Sequence, residues 1–138
     1  ALVLAERQYA EAQGLKPLAR LVGYAHAGVD PDFMGMGPVP STRKLMERTG
    51  LTLEQMDVIE INEAFAAQAF AVATELGLDL DKVNVNGSGI SLGHPVGATG
   101  ALISVKAIHE LHRTQGRYAL VSLCIGGGQG ISAIYERL

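Results

Sequence analysis

The segment DVIEINEAFAAQAFAVATEL, residues 57–76, predicts an α/β fold because its hydrophobic period changes in the middle. The β-branched run from Asp57 to Ile61 predicts a short strand that ends at Asn62. Apolar side chains then recur at intervals of four, three and four residues, at Phe65, Ala69, Val72 and Leu76. This second period predicts an amphipathic helix, so the stretch is a strand followed by a helix.

The same alternation continues on both sides of this stretch. The expected upstream elements are a helix, a strand and a helix over residues 6–13, 19–25 and 41–49. The expected downstream elements are a strand, a helix and two strands over residues 83–85, 101–115, 118–123 and 131–135. This order predicts one α/β domain with a mostly parallel, mixed five-stranded sheet that helices cover on both faces. The last two strands are expected to pair antiparallel through the glycine loop between them.

Composition supports a single folded domain and excludes several classes of protein. Of the 138 residues, 48% are hydrophobic and 18% are charged, which is enough apolar material for one core. The formal net charge of −3 offers no attraction for a nucleic-acid backbone, and no apolar run approaches membrane-spanning length. The single cysteine excludes an internal disulfide. We therefore expect no nucleic-acid partner, no membrane insertion and a reducing compartment, which is the cytoplasm or, in a eukaryote, an organelle matrix.

Two patterns that would suggest a metal or a nucleotide fail on their spacing. His109 and His112 lie three residues apart, whereas the helix of a zinc protease needs histidines four apart. Gly87 and Gly89 lack the third glycine of a dinucleotide-binding loop, and no Gly-Lys-Ser or Gly-Lys-Thr occurs. We assign the histidine pair to a solvated helix face and expect no metal site.

Three chemically active side chains follow the strands of the expected sheet. Asn62 follows the second strand, His94 lies in the glycine-rich segment of residues 86–100, and Cys124 ends the strand that begins at Tyr118. Ligand sites in open α/β sheets form beyond the carboxyl ends of parallel strands. These three side chains are therefore expected to face one rim of the sheet.

Each of these residues also has a purely structural interpretation. Cys124 by itself is more often a buried, inert thiol, His94 could satisfy a local carbonyl, and Asn62 could be the N-cap of the next helix. The glycines of residues 126–128 favour a ligand near Cys124, because they let bare backbone N–H groups approach it. The five glycines around His94 favour proton transfer by its imidazole. For Asn62 the sequence does not distinguish between an N-cap of the next helix and a carboxamide that holds a water.

Four segments of the chain together resemble the C-terminal domain of the thiolases. They are MGMGPVP at 34–40, NEAFAAQ at 62–68, NVNG at 84–87 with GHPVGATG at 93–100, and CIGGGQG at 124–130. Their order and spacing also fit that family. The resemblance implies a thiolase C-terminal domain over residues 1–138, in which residues 1–15 are the tail of an N-terminal domain and its connecting helix.

The resemblance implies thiolytic cleavage of a 3-oxoacyl-CoA, or the reverse Claisen condensation of two acyl-CoA molecules. In that family one cysteine carries the acyl group, and a second cysteine, which matches Cys124, moves the α-proton of the other substrate. His94 matches the histidine that assists the nucleophile and donates to a thioester oxygen. Asn62 matches the asparagine that holds a water in that oxyanion site, and Gly126 matches the glycine whose N–H stabilises the oxyanion of the acyl-enzyme.

The resemblance also implies a substrate pocket and partners. Met34, Ala64 and Phe65 match residues that line the acyl pocket, although each could be plain core. The substrates would be acyl-CoA and CoA, without a bound cofactor. The family's nucleophilic cysteine lies in an N-terminal domain that these residues do not contain, so we expect the isolated chain to be inactive. The complete protein is expected to be a homodimer or homotetramer.

Two other classes of protein with this fold are alternatives to an active thiolase domain. The chain could be a non-catalytic lipid-binding or assembly module of the same fold, but the presence of cysteine, histidine and asparagine together argues against it. Ketoacyl synthases share the architecture, but they generally have a second histidine at the position of Cys124. The cysteine therefore favours a thiolase.

Overall fold

The computed structural model describes residues 1–138. Its α-helices are α1 (Arg7–Ala12), α2 (Pro38–Thr49), α3 (Ala66–Leu76), α4 (Gly89–Leu92) and α5 (Thr99–Thr114). Its strands are β1 (Ala19–Gly28), β2 (Val58–Ile61), β3 (Tyr118–Ile125) and β4 (Gln129–Arg137). Short 3-10 helices cover Pro31–Met36, Leu53–Gln55 and Leu80–Lys82. None of the helices has the length and apolar character needed to cross a membrane.

The four strands form one mixed sheet in the order β1-β4-β3-β2. Strands β2 and β3 pair in parallel, whereas β4 pairs antiparallel with β3 on one side and with β1 on the other. It follows that β1, β2 and β3 run in one direction and that β4 alone runs in the other. The expected mixed α/β sheet is confirmed, as is the antiparallel hairpin of the last two strands. Only one of the three ladders is parallel, which is fewer than expected for a mostly parallel sheet, because β4 lies between β1 and β3.

The expected count of five strands is wrong. Residues 83–85 form no strand, and only a single parallel bridge joins Val83 to Ile59. The backbone of Asn84 turns into the left-handed region at φ 51°, where a strand cannot continue. Its side chain instead bonds to both backbone groups of Ile61: Nδ2 donates to the carbonyl at 2.8 Å, and Oδ1 accepts from the N–H at 2.9 Å. This carboxamide takes the place of a fifth strand along β2.

Helices cover both faces of the sheet, as expected. The face under α2 and α3 carries a core of Ala25, Val39, Leu45, Met56, Ile59, Ile61, Val72, Leu120 and Ile134. The face under α5 carries a core of Val58, Ile103, Ala107, Leu111, Ala119 and Val121. Successive residues of β2 and β3 alternate between the two cores because side chains alternate across a strand.

The segment before α2 is largely helical although it contains several glycines and prolines. Most of it forms the 3-10 helix Pro31–Met36, and α2 begins directly after Gly37. Gly37 packs on the backbone of Gly130 in β4, where a Cβ on either residue would collide with the other. Because Gly130 pairs with Cys124 across the hairpin, this contact ties the segment to the strand that carries the thiol.

Candidate active site

Asn62 and Cys124 lie at the carboxyl ends of neighbouring parallel strands. The last pair in the ladder of β2 and β3 is Ile61 with Ser122, and the N–H of Asn62 donates to the carbonyl of Ser122 at 2.9 Å. Cys124 lies two residues farther along β3. The parallel pairing thus brings these two sequence-predicted residues to one rim of the sheet.

The carboxamide of Asn62 is buried without a hydrogen-bond partner in the chain. The residue is 0% exposed, and neither Nδ2 nor Oδ1 makes a hydrogen bond. Buried polar side-chain atoms are normally paired, so this amide is suited to hold a water or a substrate oxygen. The next helix begins at Ala66 with Phe65 as its N-cap. The interpretation of Asn62 as that N-cap is therefore wrong.

The glycine-rich segment after Asn84 packs directly on this carboxamide. An ideal Cβ at Gly89 would lie 3.0 Å from Asn62 Oδ1 and closer still to the backbone of Glu63, so a side chain does not fit there. The N–H of Ile90 donates to Glu63 Oε2 at 3.1 Å, and Ser88 Oγ donates to the last carbonyl of β2 at 3.2 Å. These contacts hold α4 against the end of β2.

His94 follows α4 in an exposed turn, and Thr99 holds its ring. Nδ1 lies 2.6 Å from Thr99 Oγ1, and that hydroxyl donates to the carbonyl of Pro95 at 2.9 Å. A hydroxyl has one proton, so Thr99 accepts from Nδ1–H, and in the neutral ring this network leaves Nε2 unprotonated. The ring bonds to a hydroxyl and not to a local carbonyl, and Nε2 makes no hydrogen bond within the chain.

Cys124 is a free thiol that is only 7% exposed. Burial raises the pKa of this thiol, which keeps it protonated at neutral pH. Gly130 stands opposite it in the hairpin, so the residue directly across the ladder places no side chain beside the thiol. A protonated thiol in this position can give a proton, and it can take one only after its own has been removed.

The turn between β3 and β4 presents bare backbone next to the thiol. Gly127 and Gly128 have φ values of 83° and 84°, which side chains rarely adopt. Gly128 is held against the end of β1, because its carbonyl accepts from the N–H of Val29 at 2.8 Å. Beyond its chain neighbours no atom lies within 4 Å of an ideal Cβ at Gly126, so the space on that side of the residue is open.

The three residues expected to line an acyl pocket lie on two segments that touch. Met34 and Ala64 are half-buried and Phe65 is 64% exposed, so none of them belongs to the buried core. Gln68 joins the segments: its Oε1 accepts from the N–H of Ala64 at 3.2 Å, and its Cγ lies 2.8 Å from an ideal Cβ at Gly35. The structure thus brings the Met34 segment to the start of α3.

The side chains of Asn62, His94 and Cys124 are not joined by hydrogen bonds. Asn62 has no partner, and the ring of His94 bonds only to Thr99. The glycine-rich segment that carries His94 packs beside Asn62 at Gly89. Asn62 and Cys124 therefore stand at this rim as separate polar groups.

Several residues at this rim are not among those expected from the sequence. Thr99 stands five residues after His94, and Glu60 and Lys106 form a buried ion pair at 2.9 Å. A lone charge within the β-branched run of β2 is the one sequence signal that could have identified Glu60. No group of three or more acidic, histidine or cysteine side chains is placed so that it could hold a metal ion. Of the histidine pair on α5, His112 has a backbone partner, because its Nε2 lies 2.9 Å from the carbonyl oxygen of Leu18.

Comparison with known proteins identifies related chains. A family model described as "Thiolase, C-terminal domain" matches residues 15–137. The chain is 70% identical over 138 residues to beta-ketothiolase BktB of Cupriavidus necator and 54% identical over 138 residues to acetyl-CoA acetyltransferase of Escherichia coli. Each alignment covers 100% of this chain and 35% of the relative, so the chain spans about a third of the length of these curated relatives. The solved structure of human mitochondrial 3-ketoacyl-CoA thiolase in complex with CoA matches with a TM-score of 0.94 at 48% identity, over 96% of this chain and 34% of that one.

Proposed function

The chain belongs to the thiolase C-terminal domain family, and we propose on this basis that it supplies the proton-transfer half of a thiolase active site. The proposed reaction is thiolytic cleavage of a 3-oxoacyl-CoA by CoA, or the reverse condensation of two acyl-CoA molecules. Relatives named as a ketothiolase and an acetyltransferase, and a structural neighbour in complex with CoA, support this acyl-transfer chemistry. The substrates are CoA thioesters, and the proposed chemistry needs no bound cofactor.

One observation carries this proposal. The buried carboxamide of Asn62 has no partner in the chain, and it lies at the rim where the strand of Cys124 also ends. An unpaired donor that is held rigidly in the interior is what stabilises a developing oxyanion, because it needs no reorganisation during the reaction. Asn62 thus orients the water that donates to the thioester oxygen.

His94 acts at the same oxygen through Nε2. Because Thr99 holds Nδ1 as a donor, the neutral ring accepts at Nε2. It takes the proton of the nucleophilic thiol as that sulfur attacks, and the resulting N–H then donates to the thioester oxygen. The tautomer set by Thr99 is the one this sequence of steps requires.

Cys124 moves the α-proton. Its raised pKa keeps the thiol protonated, and the protonated form delivers a proton to the α-carbon when the carbon–carbon bond of the 3-oxoacyl-CoA breaks. In the condensation direction the corresponding thiolate removes that proton. Gly126 donates its N–H to the oxyanion of the acyl-enzyme, and Met34, Ala64 and Phe65 line the acyl pocket.

The remaining parts of the reaction need a second domain. Cys124 is the only cysteine of the chain, so the acyl-carrying nucleophile comes from a thiolase N-terminal domain. By the resemblance to thiolases, that domain also supplies most of the contacts to CoA. We infer that residues 1–15 connect to that domain and that the complete enzyme is a homodimer or homotetramer. A reducing compartment, either cytoplasm or organelle matrix, keeps Cys124 as a free thiol.

The test compares the isolated chain with a full-length protein that contains it. Acetoacetyl-CoA and CoA are supplied, and acetyl-CoA formation is measured. We expect turnover by the full-length protein and none by the isolated chain. Turnover by the isolated chain would show that the nucleophile has been misplaced. Absence of turnover in the full-length protein would favour a non-catalytic lipid-binding or assembly module.

A variant of the full-length protein tests the role of Cys124. Cys124→Ala should abolish exchange of the α-protons of acetyl-CoA with deuterated water. The same variant should still gain one acetyl group from acetyl-CoA, which mass spectrometry detects. Undiminished exchange would remove Cys124 from the proton-transfer role.

A further inference from the structure

Glu60 is a fully buried carboxylate on the strand that ends at Asn62. It is 0% exposed, and it belongs to the layer between β2 and α5. Burial raises the pKa of this carboxyl, against the opposing effect of Lys106. One of its oxygens, Oε1, has no hydrogen-bond partner. A buried acid that is only partly paired costs stability, so packing alone gives no reason for its presence.

Lys106 of α5 supplies its partner and makes a second contact. Its Nζ lies 2.9 Å from Glu60 Oε2, and the side chain is only 17% exposed. The same ammonium also donates to the backbone carbonyl of Gly87. The partly buried ammonium of Lys106 therefore joins strand β2, two residues before Asn62, to the glycine-rich segment, seven residues before His94.

The other side-chain hydrogen bonds of this segment do not involve the Gly87 carbonyl, which accepts from Lys106. Ser88 and Ile90 bond to the end of β2 and to Glu63, while Asn86 Nδ2 donates to Glu110 Oε2 at 2.8 Å. These contacts hold the residues on either side of Gly87. Gly89 lies so close to Asn62 Oδ1 that no side chain fits between them.

We propose that Lys106 is a positioning residue, which uses its ion pair with Glu60 to hold the glycine-rich segment over Asn62 and so sets the place of His94. This inference rests on the proposed thiolase function. The ammonium touches no reacting atom. It acts through the Gly87 carbonyl, and a displaced segment would carry the imidazole away from the thioester oxygen.

The test uses the full-length protein that contains this chain, with acetoacetyl-CoA and CoA. Lys106→Met removes the ammonium but keeps the length of the side chain. Misplacing a catalytic group by about 1 Å can cost about a hundredfold in rate, so we expect kcat to fall by about ten- to a hundredfold while KM for CoA stays nearly constant. Lys106→Arg keeps the charge and the donors and should restore most of kcat. Lys82→Met is the matched control, because Lys82 contacts only the Glu54 carbonyl, at 3.5 Å, and it should not change kcat.

A double variant separates positioning from stability. Lys106→Met leaves the charge of Glu60 buried and unpaired, and that variant can be destabilised for this reason alone. Glu60→Gln combined with Lys106→Met removes both charges, so the thermal unfolding midpoint should recover. Because the tie to Gly87 is still missing, kcat should stay low. Recovery of kcat together with stability would overturn the proposal.

Hydrogen–deuterium exchange provides a readout that does not depend on turnover. Peptides that cover residues 86–94 should exchange faster in the double variant than in Lys82→Met, and peptides from β4 should not. Unchanged exchange in 86–94 would overturn the proposal. A wild type that does not cleave acetoacetyl-CoA overturns the proposed function and this inference with it. An active wild type with an unaffected Lys106→Met overturns the inference alone.

Discussion

The Nδ1 atom of His94 lies 2.6 Å from the hydroxyl oxygen of Thr99, and that hydroxyl is itself committed to the carbonyl of Pro95. Thr99 is 1% exposed and begins α5. A buried helix terminus thus holds an exposed imidazole in one tautomer. Rigid support of this kind lets a loop residue act as an acid or base with a fixed direction.

Thr99→Val should impair catalysis by the full-length protein. Valine keeps the shape of threonine but cannot accept from Nδ1–H, so the ring is free to rotate and to change tautomer. General acid–base catalysis contributes about a hundredfold or more, and we expect kcat for acetoacetyl-CoA cleavage to fall by about tenfold or more. Thr99→Ser keeps the hydroxyl and should stay near wild type. Equal activities of the valine and serine variants would contradict the role of this hydrogen bond.

Asn62→Leu should separate activity from stability. Leucine has nearly the shape of asparagine but lacks the two polar atoms that are buried without partners. Relieving an unsatisfied buried polar group is worth about 1–3 kcal/mol, so urea should unfold the variant at a higher concentration than the wild type. Loss of an oxyanion donor should lower kcat by about a hundredfold. A variant that loses stability would show that the carboxamide has a structural partner.

Gly89→Ala should destabilise the protein, whereas Gly100→Ala should not. A Cβ at Gly89 meets the backbone of Glu63 and Asn62 Oδ1, but nothing lies within 4 Å of a Cβ at Gly100. Forcing extra atoms into a packed site costs about 1–3 kcal/mol, while alanine in place of a helical glycine gains up to about 1 kcal/mol. Chemical denaturation measures both changes. Equal stabilities of the two variants would contradict the close approach at Gly89.

The buried thiol should make stability depend on pH in the alkaline range. The pKa of Cys124 is raised in the folded state, so the unfolded chain loses this proton first as the pH rises. The free energy of unfolding, relative to that of Cys124→Ala, should be constant at neutral pH. It should then fall once the pH passes the ordinary thiol value of about 8.5. A difference that rises with pH would mean that the folded state favours the thiolate.

Local signals in the sequence predict most of the secondary structure. The change of period at Asn62 predicts β2 and α3, and the structure confirms both. Glycine is a common helix-ending signal, and Gly50 and Gly77 end α2 and α3 in the left-handed conformation, with φ values of 69° and 62°. These features depend on neighbours along the chain, so the order of residues contains the information they need.

The fifth strand shows where local signals fail. Residues 83–85 have a strand-like composition, but the carboxamide of Asn84 bonds to Ile61 in β2 and replaces the ladder. Whether a short segment pairs as a strand depends on which groups occupy the backbone donors and acceptors of the neighbouring strand. The direction of the strands was predictable, but the place of β4 between β1 and β3 was not.

The order of residues along the chain specifies the α/β class, the strand that leads to Asn62, and the family motifs that point to His94 and Cys124. Three-dimensional packing leaves the carboxamide of Asn62 without a partner and brings Lys106 to Glu60, 46 residues away. Hydrophobic period is a property of adjacent residues, and it can be read along the chain. The partner of a buried polar atom is set by which distant segments pack against it, and that depends on the whole fold.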